Sequence, residues 1–218
     1  MKPPAQAGFR PIEDYALIGD CRACALVSGE GSIDWLCLPR FDSPAIFASL
    51  IHSDGGRFAI RPDEPFRSSR HYRPDSNVLT TRFETDSGAF EVTDLFFASS
   101  QRRSALLPVS MLIRKVRGLT GKVPATVTFE PRKNFGLERF ELRRPRNSAS
   151  PRRSLVFQSM DGAFHLAADF DLELTADGAE ARLAVEEGQS HVLILSFNEN
   201  APAVAAASGD GNEQQRAQ

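Results

Sequence analysis

Apolar residues along this chain recur at every second position in short runs, and a turn signal closes each run. That pattern constrains the fold more than any other feature. Between Asn77 and Thr85, Leu79, Thr81 and Phe83 share one face while Thr80, Arg82 and Glu84 share the other. A period of two is the signature of a strand with one buried face. Val109, Met111 and Ile113 alternate with Ser110, Leu112 and Arg114, and Val123, Ala125, Val127 and Phe129 repeat the alternation. Further strands are expected at Ala23–Ser28, Ser32–Leu38, Ala89–Asp94, Leu155–Ser159, Ala163–Thr175, Ala179–Val185 and Ser190–Phe197. Gly29-Glu30-Gly31, Asp86-Ser87-Gly88, Asp161-Gly162, Asp177-Gly178 and Glu187-Gly188 punctuate them as turns. No sustained helical periodicity is present. One short helix is expected over Pro44–Leu50, with Ser43 as its N-cap and Pro44 in the first turn.

About a dozen strands without crossover helices require antiparallel pairing, and two packed sheets bury that many best. The fold class is therefore all-β, a large antiparallel β-sandwich (a super-β-sandwich). A chain of 218 residues suits one such domain. Residues 1–10 read as a flexible N-terminus, 11–198 as the sandwich, and 199–218, almost without large apolar residues, as a disordered tail or linker. Arg132–Arg153 carries eight basic residues against two acidic ones, plus the polar run Asn147-Ser148-Ala149-Ser150, and reads as a mobile basic loop.

A net charge of −2 argues against a nucleic-acid binder, and the basic loop, interrupted by prolines, is better read as a solvated face than a phosphate-binding one. No stretch approaches the ~20 apolar residues that span a bilayer, and the N-terminus has no run of signal-peptide length, so a cytoplasmic protein is expected. Sixteen Phe against two Tyr and one Trp point to core packing rather than sugar platforms. Trp35, alternating with Ile33, is assigned to the core. Three cysteines, an odd count, fit a reducing compartment. Cys21 and Cys24 have C-x-x-C spacing, but no second pair and no nearby histidine accompany them, so Cys21, Cys24 and Cys37 are read as buried thiols. The histidines His52, His71, His165 and His191 lack ligand spacing, and no metal or cofactor is expected. The pairs Glu13-Asp14 and Glu186-Glu187 are sequence neighbours, which diverge on a strand and suit solvated turns.

The densest sequence is Pro11–Asp42, continuing through Ser43–Phe47. Its elements Ile12-Glu13-Asp14-Tyr15, Ile18-Gly19-Asp20-Cys21-Arg22, Gly31-Ser32-Ile33-Asp34-Trp35-Leu36-Cys37 and Leu38-Pro39-Arg40-Phe41-Asp42-Ser43-Pro44 closely resemble the opening of bacterial trehalase-like and glucoamylase-like proteins of glycoside hydrolase family 15. The resemblance continues through Gly55–Phe58, Tyr72–Leu79 and Val92–Asp94 and fades near Phe197. It departs from the family at Pro131–Gly136, where Asn134-Phe135 stand in place of an Asp-Tyr-like pair.

The resemblance implies an N-terminal β-sandwich whose catalytic (α/α)6 barrel is absent from this chain. The barrel would supply the two carboxylates of an inverting hydrolysis, one protonating the leaving oxygen and one activating water. No catalytic residue is assigned to this chain. The expected function is a non-catalytic domain supporting an enzyme that hydrolyses α-glucosidic bonds in trehalose or an α-glucan. The alternative is a stand-alone carbohydrate- or protein-binding module. Pro39, Arg40, Phe41 and Asp42 form the candidate loop, read either as a structural corner held by Arg40 and Asp42 or as a domain interface at the active-site rim. Expected partners are the missing barrel, carbohydrate at the domain interface, and a second copy of the chain through exposed apolar surface.

Overall fold

The computed structural model describes residues 10–97, 110–145, 150–160 and 162–199. The readings of residues 1–9, 147–149 and 200–218 lie outside them. The chain begins with β1 (Tyr15–Gly19), β2 (Cys24–Ser28), β3 (Ser32–Cys37), β4 (Ala45–Phe47) and β5 (Phe58–Pro62). Next come β6 (Phe66–Tyr72), β7 (Leu79–Thr85), β8 (Gly88–Phe96) and β9 (Ser110–Phe129). The short β10 (Arg132–Lys133) and β11 (Glu138–Arg139) precede β12 (Ser154–Gln158), β13 (Gly162–Ala168), β14 (Glu173–Leu174), β15 (Ala179–Glu186) and β16 (Ser190–Glu199). Every strand pairing among the described residues is antiparallel.

The two runs of alternation around residues 110 and 125 are one strand of 20 residues. The first part of β9 pairs with β8 and β16, and the last part pairs with β5 and β15. One strand therefore belongs to both layers and joins them into a single curled sheet of 14 strands. The bend lies where the β8–β9 register shifts, opposite Ala89 and Phe90. Gly118 and Gly121 sit there because the backbones touch: a Cβ on Gly118 would lie 1.9 Å from the Glu186 carbonyl oxygen, and Gly121 has φ +67.

The core between the layers is rich in phenylalanine. Phe47, Phe58 and Phe129 pack on one another, and Phe157, Phe164 and Phe197 extend the series. Phe83 and Phe90 anchor the β7–β8 hairpin in the same core. One ion pair is embedded in it. Arg114 on β9 and its cross-strand partner Asp94 on β8 are both fully buried. Arg114 Nε donates to Asp94 Oδ1 at 2.8 Å, Nη2 donates to the Gly31 carbonyl at 2.8 Å, and Nη1 donates to the Phe58 carbonyl. The guanidinium also lies over the Phe58 ring, 4.8 Å from its centroid.

The expected helix over Pro44–Leu50 is a strand instead. Leu36 pairs with Phe47 and Cys37 with Ala45. Seven residues are too few to repay helix nucleation, whereas Ala45–Ala48 are all buried once β4 joins the sheet. Ser43 caps no helix; its Oγ accepts the Arg40 N–H. The expected strand Ala163–Thr175 divides into β13 and β14, and β1, β5 and β6 were not foreseen. Described parts of the basic segment form the β10–β11 hairpin, and Arg143 bridges to Val156.

Asp94→Ala leaves an unpaired guanidinium in the core and should destabilise the chain by about 3–5 kcal/mol in urea titration. Combining Asp94→Leu with Arg114→Met should recover part of that loss but not all, because the Gly31 and Phe58 carbonyls then lose their donor. A double variant no more stable than the single one would contradict this account.

Candidate functional site

The candidate loop and the segment that departs from the family pattern meet in space. β10 and the turn after it pack against β4, directly beyond Pro39–Pro44. Leu38, Pro44 and Ile46 from one segment and Lys133, Asn134 and Phe140 from the other line a largely apolar cleft of about 270 Å³.

Within the loop, Arg40 and Asp42 form a bidentate pair, Nε to Oδ1 at 2.8 Å and Nη2 to Oδ2 at 2.6 Å. The Ser43 N–H closes the turn on the Arg40 carbonyl at 3.0 Å, and the Phe41 N–H ties the loop to the Arg22 carbonyl at 2.8 Å. The Leu38–Pro39 peptide is cis. The turn directs Phe41 outward, 71% exposed. Arg40, by hydrogen bond and charge, holds the Asp42 carboxyl below the usual carboxylate range.

A bulge organises the strand before the loop. Leu26 pairs with Trp35 and Val27 with Ile33, so Asp34 has no partner on β2. Beyond the bulge the parity of the faces changes. Ile33 and Leu36 enter the main core, while Trp35 and Cys37 join a separate cluster with Ala45 and Ala48. Trp35 is therefore half-buried outside the main core, which corrects the expectation that it shares a face with Ile33. Asp34 is buried among hydroxyls: Ser32 Oγ donates to Oδ1 at 2.5 Å, Ser49 Oγ to Oδ1 at 3.0 Å, and Tyr15 Oη to Oδ2 at 2.8 Å. Burial, with the Asp34 charge beside it, pushes the Tyr15 hydroxyl above its ordinary value and keeps it a donor.

Asn134 and Phe135 both have left-handed backbones, φ +50 and +57, before Gly136. Asparagine tolerates this region, but for phenylalanine it stores strain of about 1–2 kcal/mol. The turn leaves Phe135 half-exposed and stacked on Trp35 at 6.3 Å. Leu137 follows the same turn and is exposed, Met160 is 95% exposed in the apolar cleft that Asn134 lines, and Ile51 is exposed after β4. A second, polar cleft of about 780 Å³ opens beyond Gly136, walled by Arg57, Glu130, Arg132, Glu138, Arg139 and Asp177.

The hydroxyl cage of Asp34, the outward stacking of Phe135 on Trp35 and the exposure of Met160 are not among the sequence expectations. A carboxylate inside the apolar run Ser32–Cys37 signals a satisfied buried charge, and Asn before Phe-Gly signals positive φ; Met160 carries no local signal. The thiols divide. Cys37 is buried, Cys24 is half-buried, and Cys21 is exposed, contrary to expectation. Asp20 Oδ1 accepts the N–H groups of Arg22 and Ala23, and this turn places Cys21 at φ +66 outside the sheet. Burial pushes the Cys37 thiol up to about 11 and raises that of Cys24. Among the described residues, no three His, Cys, Asp or Glu side chains converge as metal ligands.

The family model described as "Trehalase-like, N-terminal" matches residues 6–218. A trehalase of Mycolicibacterium smegmatis is 26% identical over 91% of this chain and 32% of its own length, and one of Mycobacterium tuberculosis is 27% identical over the same shares. Trehalase 1 of Sulfolobus acidocaldarius is 36% identical over 63% of the chain and 22% of its own length. The chain thus spans about a third of the length of the first two relatives.

Two measurements check this geometry. Alkylation at mildly alkaline pH should label Cys21 first and spare Cys24 and Cys37 until the chain unfolds, as peptide mass spectrometry would read. Tyr15→Phe should cost about 1–2 kcal/mol in urea titration, because Asp34 loses one of its three hydroxyl donors.

Proposed function

The chain belongs to the trehalase-like N-terminal domain family, and we propose that it is the non-catalytic β-sandwich of a glycoside hydrolase family 15-type enzyme. The carrying observation is that the segments meeting at β4 each bear exposed apolar side chains: Phe41 before β4, Ile51 after it, Phe135 and Leu137 in the facing turn, and Met160 in the cleft between them. Soluble monomers rarely leave such a set uncovered without an interaction to make. In this reading the face packs on a catalytic (α/α)6 barrel, and the Pro39–Asp42 loop lies at the rim of its active site.

The barrel, not this chain, carries the hydrolysis of an α-glucosidic bond in trehalose or an α-glucan. Inversion needs a protonated carboxyl as general acid and a carboxylate as base. Asp42 is shifted the wrong way for the acid, since Arg40 keeps it ionised. Asp34 is enclosed by three hydroxyl donors, which suits a structural anchor. Arg40–Asp42 shapes the rim more than it stabilises it, because an exposed ion pair contributes about 1 kcal/mol or less. The reading includes a cytoplasmic location, supported by three free thiols. No helix of the described residues is long and apolar enough to cross a membrane.

The purified chain should release no glucose from trehalose or maltose; turnover by a contaminant-free sample would sink the proposal. The chain alone should also self-associate through its uncovered face, as sedimentation velocity reads. Leu137→Lys with Met160→Lys should make it monomeric without loss of folding stability, since both side chains are exposed. A wild-type chain that stays monomeric at all concentrations would count against an uncovered docking face.

A further inference from the structure

We propose that the polar cleft beyond Gly136 binds a neutral saccharide of one or two rings, independently of any docking by the apolar face. The cleft, at about 780 Å³, has the capacity of a small-molecule site. Three arginines, Arg57, Arg132 and Arg139, and four acidic residues, Asp54, Glu130, Glu138 and Asp177, line it together. That balance selects the ligand. An anion would meet four carboxylates and a cation three guanidiniums, whereas a neutral polyol offers donors and acceptors to both sets without a net charge to bury.

The walls are built before any ligand arrives. Arg132, with 8% of its side chain exposed, donates to the Asp177 carbonyl at 2.7 Å and contacts Asp177 Oδ1 at 3.3 Å. Arg139 meets the same carboxylate oxygen at 2.6 Å. Arg57 and Glu130 exchange backbone hydrogen bonds at 3.2 and 2.8 Å. These contacts use only part of the hydrogen-bonding capacity present, since a guanidinium has five N–H groups and a carboxylate about four acceptor sites. Arg57 Nε, shielded from solvent, lies 3.4 Å from Glu130 Oε2 and makes no hydrogen bond. At one edge, Gly136 brings the backbone of the strained turn into the cleft wall, with φ +104. Leu137 adds apolar wall for the C–H faces of a sugar ring.

The test is an amide chemical-shift titration of the whole chain with trehalose and with maltose, using glycerol and inorganic phosphate as comparison probes. Saturable shifts centred on Arg57, Glu130, Gly136–Arg139 and Asp177 are expected with the sugars alone. Arg139→Ala, an exposed position on β11, should weaken binding about tenfold while the remaining spectrum is preserved. Met160→Ser, in the neighbouring apolar cleft, should leave it unchanged. No saturable sugar shifts, equal response to glycerol or phosphate, or indifference to Arg139→Ala would each overturn the proposal. Sugar binding by a chain that never docks a second domain would leave this inference standing and remove the docking one.

Discussion

The buried pair of Arg114 and Asp94 is the constraint from which the two-layer arrangement follows. Removing both charges from water costs several kcal/mol per ion, and their mutual attraction offsets that only with good geometry and added hydrogen bonds. Here the cross-strand register supplies the geometry, and two carbonyls complete the guanidinium. Those carbonyls belong to Gly31, at the β2–β3 turn, and Phe58, at the start of β5, both in the layer opposite the Arg114–Asp94 end of β9. A one-residue slip of β8 on β9 would move Asp94 to the other face and strand the charge. The pair therefore selects one register and one stacking of the layers.

From that anchor the rest of the site is positioned. The β2–β3 turn held by Arg114 leads into β3, whose bulge turns Asp34 into its cage of hydroxyls and gives Trp35 a different face from Ile33. Trp35 then supports Phe135, and this stacking together with the contacts of the turn on β4 and β10 helps to hold the strained backbone. Structural stability and surface function are separated in this arrangement. The interior charge is saturated, while the Arg57–Glu130 and Arg139–Asp177 ion pairs of the polar cleft are partly solvated and contribute little to folding.

Much of this was legible in one dimension. Alternation found the strands at Leu79–Thr85, Ala179–Glu186 and Ser190–Glu199 because each presents one face to the core. The Arg40–Asp42 pair was legible because residues two apart in a tight turn share a side. Other features depend on partners far along the chain. β4 looked like a helix start because Ser43-Pro44 is a good local cap, but pairing with Leu36 and Cys37 outweighed it. The unity of β9 was hidden because alternation stops at its bend, where Gly118 and Gly121 admit neighbouring backbones.

The sequence by itself determined the all-β class, the phenylalanine core and the family, since periodicity and ordered motifs are local and survive without coordinates. The tertiary structure alone decided which face each motif presents. A single bulge at Asp34 reverses side-chain parity, and contacts between residues about a hundred positions apart bring Trp35 against Phe135. Neither effect is encoded in any short window of residues.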